Sequence, residues 1–120
     1  MLRLLSVLSA LAFAPAALAD DKRVDFARDV LPILSDKCFA CHGPDEKSRR
    51  ADLRLDIKEE ALKPPVVVVG KAAESELVKR LAPEDPAELM PPPKSNKKLS
   101  AAEIATLKAW IDQGAAWGQH

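Results

Sequence analysis

Apolar residues recur at helical spacing in several stretches of the chain, separated by polar and proline-rich segments. Phe26, Val30, Ile33 and Leu34 fall at i, i+4, i+7 and i+8, the stripe of an amphipathic helix, with Asp25 or Asp29 as candidate N-caps. Pro32 lies inside that stripe. It is harmless in the first turn of a helix capped by Asp29 and kinks a helix that starts at Asp25. Asp56 followed by Glu59, ahead of Ala61 and Leu62, marks a short helix that Pro64-Pro65 stops. Residues 73–81 place Leu77, Val78 and Leu81 on one side of another helix. The last element is the clearest. Ser100 and Glu103 form a capping box, Ile104, Leu107 and Ile111 make the apolar stripe with Trp110 beside it, and Gly114 ends the helix.

Between these elements the chain cannot be regular. "DEKSRR" reads as an exposed loop, and "VVVV" at residues 66–69 has strand propensity but no partner strand, so it is expected as an extended, mostly buried connector. "APEDPAELMPPPKSNKK" carries five prolines and is expected to be a long shaped loop. The pattern predicts an all-α domain of three to five short helices, with the first and last in contact.

The N-terminal "MLRLLSVLSALAFAPAALA" carries one basic residue, an apolar run to about Ala14 and a small-x-small site at Ala17-Leu18-Ala19, which is the plan of a secretory signal over residues 1–19. Ser6, Ser9 and Pro15 break the apolar run, and it falls short of the roughly 20 residues a membrane span needs. Residues 20–120 are then one domain in the periplasm or otherwise exported, with no stable membrane insertion. The eighteen Lys and Arg include Arg3, so seventeen basic groups face eighteen acidic ones in that part, a formal −1. A balance this even excludes a basic face for nucleic acid. The absence of Tyr, with only five Phe and Trp together, disfavours an all-β fold.

The chemistry concentrates at Cys38-Phe39-Ala40-Cys41-His42, which holds both cysteines and one of two histidines. A disulfide at this spacing closes too small a loop to restrain the unfolded chain much. Thiols at i and i+3 on a helical turn stand on the same side, within reach of two neighbouring vinyl groups of a porphyrin. A histidine directly after the second thiol can then bind iron. C-x-x-C-H is the attachment signature of c-type haem, with His42 as proximal ligand. Two rivals share the residues. A dithiol redox motif usually opens a helix in a βαβ setting, which this pattern lacks, and a zinc site needs Cys38, Cys41, His42 and the terminal His120 to converge.

A low-spin haem needs a second axial ligand. Met90, the one methionine after the leader, stands in "AELMPPPK", where Pro91-Pro92-Pro93 stiffen the chain behind it. His120 and an open or water-bound iron are the alternatives. Arg54 can pair with a haem propionate or simply be solvated between Leu53 and Leu55. Phe39 can pack on the haem edge or face the core. Trp110 and Trp117 are expected to be packing residues.

Four blocks, "FARDVLPILSDKCFACHGPDEKSRRADLRLD", "VGKAAESELVKRL", "LMPPP" and "KKLSAAEIATLKAWIDQGAAW", occur in an order that resembles the planctomycete-type cytochrome c domain, usually the N-terminal module of larger exported proteins. The resemblance implies a class I-like mono-haem fold with one covalently attached haem c. It implies attachment through Cys38 and Cys41, His42 as proximal ligand and Met90 at the methionine-proline position. The expected function is one-electron transfer between unidentified redox partner proteins. The protein is then an electron carrier rather than an enzyme. Three alternatives stay open: a haem peroxidase or gas or redox sensor with a labile distal ligand, the electron-transfer head of a longer multidomain chain, and a haem-free thiol or zinc module. Because a haem supplies core that so short a chain lacks, the apoprotein is expected to fold poorly.

Overall fold

The computed structural model describes residues 23–118. The leader read over residues 1–19 and the candidate ligand His120 lie outside them. Among the described residues the regular structure is entirely helical: four α-helices joined by single turns and shaped loops, with no strand.

The first apolar stripe folds as one continuous helical path in two registers. Asp25 is the N-cap, its carboxylate accepting from Arg28 N–H at 2.8 Å. Phe26–Val30 form a wide π-turn in which the Leu31 N–H reaches Phe26 O, and α1 (Leu31–Lys37) follows with Pro32 in its first turn. Both expectations about Pro32 are thus met halfway. The helix starts at Asp25, and the wider turn accommodates a residue with no N–H to donate. Asp29 is no cap of α1 but pairs with Arg28 at 2.7 Å.

The second element, α2 (Lys58–Ala61), begins after Ile57 with no side-chain cap. The expected cap Asp56 is occupied elsewhere, because its carboxylate receives Arg54 Nη2 at 2.6 Å and Nε at 3.1 Å. The valine connector is only partly buried: Val67 is fully enclosed, while Val69 is exposed. Ser75, completely buried, holds it in place. The hydroxyl accepts from Val68 N–H at 2.8 Å and donates to Lys71 O at 3.0 Å. A single 3-10 turn (Ala72–Glu74) and α3 (Glu76–Leu81) follow, with Val78 and Leu81 buried and Leu77 packed at the edge. The proline-rich loop contains two more single turns, Pro86–Glu88 and Pro93–Ser95.

The last helix, α4 (Ala101–Asp112), carries both halves of its capping box: Glu103 N–H to Ser100 Oγ at 3.0 Å, and Ser100 N–H to Glu103 Oε1 at 2.9 Å. It ends in a Schellman arrangement. Gly114, at φ +112°, gives its N–H to Ile111 O, and Ala115 N–H reaches Trp110 O at 2.8 Å. Leu107, Trp110 and Ile111 face inward against Phe26, Val30 and Leu34. Trp110 is part of the core, a packing residue as expected. Phe26 joins the two ends of the domain, 5.8 Å from Trp110 and stacked on Trp117 at 4.3 Å between ring centroids. The first and last helices meet as the pattern predicts, and Val24 N–H adds a bond to Gln113 Oε1 at 2.9 Å.

Candidate haem-attachment site

The end of α1 delivers the chain directly into one further helical turn. Cys38 and Phe39 N–H both bond Leu34 O at 2.9 Å; Cys38 O in turn accepts Cys41 N–H at 3.2 Å and His42 N–H at 2.9 Å. The two cysteines therefore share one side of a single turn, as the i, i+3 spacing requires. Both thiols are free and half-buried. Burial, reinforced by the neighbouring Cys41, pushes the Cys38 thiol up to about 12, so it is protonated at neutral pH.

The turn is terminated by a close approach. A Cβ on Gly43 would lie 2.3 Å from Phe39 O, so only glycine lets the chain leave across the preceding carbonyl. Phe39 packs against the edge of the hydrophobic core.

The loop after Gly43 folds back onto the turn. Asp45 opens it, accepting Lys47 N–H at 3.0 Å and Ser48 Oγ at 3.0 Å. Arg50 N–H bonds Cys41 O at 2.7 Å and Leu55 N–H bonds His42 O at 2.8 Å, so the loop is stitched to the turn twice by backbone. Between these stitches His42 Nδ1 lies 3.2 Å from Arg50 O. A carbonyl only accepts, so Nδ1 carries the proton and Nε2 keeps its lone pair. Burial holds the imidazole below its ordinary pKa, with the Arg50 carbonyl opposing, and the ring is neutral at pH 7.

Arg49 was read as part of an exposed run, but only 16% of its side chain is accessible. It donates Nε to Gly43 O at 2.9 Å and Nη2 to Pro44 O at 3.1 Å, and it faces Asp52 at 3.8 Å. The sequence signal for this inward arginine was weak: an Asp-x-x-Ser turn immediately before it, nothing more. Arg54, expected to face a propionate or solvent, is paired with Asp56 at 2.6 Å.

Met90 stands in the other half of the molecule's loop structure. It is half-buried, and its N–H bonds Arg80 O at 2.8 Å, which fixes the loop on α3. Beyond it, Lys97 Nζ donates to Asp36 O at 3.1 Å, two residues before Cys38. The segment carrying Met90 is thus anchored at both ends, and its downstream anchor is on the helix that presents the thiols. No hydrogen bond links Met90 to the thiol–imidazole turn. Two surface clefts, of about 460 and 540 Å³, are lined by other residues, the first by Phe26 and Trp117 among others, the second by Leu53 and Pro64-Pro65 among others.

The donor set suits a covalently held haem. Two free thiols share a turn, and a neutral imidazole has one nitrogen committed and the other available. These side chains do not converge on a point: among the described residues no group of three or more His, Cys, Asp or Glu could hold a bare metal ion. Among them, too, no helix is long and apolar enough to cross a membrane. No curated protein and no solved structure matches the chain. Residues 38–94 match the family model described as planctomycete cytochrome C, a span that opens on Cys38 and includes Met90, and this match supports a planctomycete-type cytochrome c domain.

Proposed function

We propose that this protein is a mono-haem electron carrier of the exported compartment, with haem attached through Cys38 and Cys41 and iron held between His42 and Met90. When bound, the haem supplies a one-electron couple, ferric to ferrous and back. Each electron arrives from one redox partner protein and leaves to another. The family supports haem-based electron transfer, and the leader over residues 1–19 supports the periplasm.

The observation that carries the reading is the state of His42. Its Nδ1–H is committed to the Arg50 carbonyl, and Nε2 is left as a donor on the turn that carries two free thiols. Both cysteines are free, and addition of an S–H across a haem vinyl group would need no external oxidant. The backbone stitches from Arg50 and Leu55 hold the imidazole plane so that little ordering remains on ligation. The thioether of Met90 is a soft donor that favours the reduced state and raises the potential relative to two nitrogen ligands. The bonds of Met90 N–H and Lys97 Nζ restrain the loop that carries it.

The chain's own residues offer an electron carrier rather than a catalyst: they hold and orient, and no substrate bond changes. The test is a potentiometric titration with optical and spin-state spectroscopy on the wild type and Met90→Ala. The expected wild type is a one-electron, low-spin couple that resists cyanide and carbon monoxide. In Met90→Ala the expected result is a lower potential and rapid ligand binding. A wild type that is already high-spin would replace this reading by an open-iron sensor or peroxidase, and an unchanged Met90→Ala would remove Met90 from the ligands.

A further inference from the structure

The loop of residues 43–52 contains a strained and largely exposed return. Ala51 and Asp52 both stand in the left-handed region, at φ 56° and 52°, and neither is glycine. Residues with a Cβ are strained in this region, so something must hold the loop in this shape. Asp45, Glu46, Lys47, Ser48 and Arg50 are exposed and bury little surface. The one side chain of the return that turns inward is Arg49.

Its guanidinium joins the two limbs of the loop. On the outgoing limb it takes the carbonyls of Gly43 and Pro44, at 2.9 and 3.1 Å; on the returning limb it faces Asp52 at 3.8 Å. The atom between these anchor points is Arg50 O, which also accepts Leu53 N–H at 3.1 Å. The fork reaches the two carbonyls and the carboxylate from three separate nitrogens held in one plane, whereas a lysine ammonium offers its donors from a single nitrogen.

We propose that Arg49 is a positioning residue for His42, closing the loop so that Arg50 O stays on the imidazole Nδ1–H, and that it thereby sets the donor strength of Nε2. This inference rests on the reading of His42 as the proximal ligand. A proton held firmly at Nδ1 makes the imidazole more basic at Nε2, and a more basic ligand favours the oxidised iron. Loosening the loop weakens that bond and moves the potential upward.

The test uses matured, haem-loaded protein with Arg49→Met and Arg49→Lys, and Ser100→Ala as a control. The control lowers stability through the cap of α4, far along the chain from the loop. Two quantities are read, the proton resonance of His42 Nδ1–H in the diamagnetic ferrous state and the midpoint potential. In Arg49→Met the expected result is an upfield shift of that resonance and a positive shift of the potential. Arg49→Lys falls between, and Ser100→Ala matches the wild type in both. Where Arg49→Met yields no matured protein, Arg49→Lys decides on the same two readouts. A normal resonance and potential in the folded Arg49 variants overturn the proposal, as do equal shifts in Ser100→Ala. Failure of the wild type to carry covalent haem instead overturns the cytochrome reading on which it rests.

Discussion

Replacing Gly43 by alanine is the sharpest local perturbation the site offers. The added Cβ would meet Phe39 O at 2.3 Å, Phe39 C at 3.1 Å and Phe39 Cα at 3.2 Å. Contacts of a Cβ below 3.0 Å are essentially unknown, so at least 0.7 Å must open between Gly43 and the turn. The obstructing atoms are backbone and cannot rotate away. Overpacking of this kind costs about 1–3 kcal/mol. The displacement falls on a residue whose carbonyl receives Arg49 Nε and whose neighbour is His42. Gly70→Ala is the comparison. Its φ is +84° but no atom lies within 4 Å of the new Cβ, so it carries backbone strain without touching the turn. Denaturant unfolding, together with the fraction of chain recovered with covalent haem, separates the two. Gly43→Ala is expected to lose both stability and haem yield, Gly70→Ala stability alone. A Gly43→Ala protein that unfolds within about 0.5 kcal/mol of wild type and matures normally would refute the close approach and the role given to it.

Three further outcomes follow from the geometry. Ser75→Ala leaves Val68 N–H buried without its acceptor and should cost about 1–3 kcal/mol in chemical denaturation, whereas a loss under half that would mean the connector re-pairs. Ser100→Ala removes one half of the capping box on α4 and should cost about 1 kcal/mol, seen as a lower melting temperature with haem attachment intact. Asp29 is held at about 2, first by hydrogen bonds from Arg28 and then by Asp25 N–H. Because the folded value lies below the ordinary 3.8, its contribution is complete above that pH and fades as pH falls through 2. The stability gap between wild type and Asp29→Asn should therefore shrink from pH 4 to pH 2, and a constant gap would rule the pairing out.

The parts of this molecule that were legible in advance are those written in local chemistry. The capping box of Ser100 and Glu103, the apolar stripe of α4 and the glycine after it are contacts within one helix and its cap, and the structure contains all of them. The thiol–imidazole turn was legible for the same reason, since its geometry follows from i, i+3 spacing. What escaped depends on partners distant in sequence or on competition between near neighbours. Asp56 looked like a cap and became the partner of Arg54, because a bidentate ion pair two residues away outcompetes a helix of four residues. Arg49 looked solvated, and nothing in its neighbourhood announced that Gly43 and Pro44 would present their carbonyls to it. The wide turn before Pro32 is the compromise of two incompatible local signals, an early cap at Asp25 and a proline in mid-stripe. The valine run illustrates the reverse failure: it was expected to be mostly buried, but only Val67 is fully enclosed and Val69 is exposed, on a backbone that Ser75 Oγ holds at Val68.

The measurement that bears most directly on the central claim is the denatured intact mass of the protein, produced in an exporting host that matures c-type cytochromes. The account predicts the mass of residues 20–120 plus one haem that survives denaturation, which only a covalent bond to the chain allows. A mass with no haem, from cells in which a control cytochrome is matured, would contradict it.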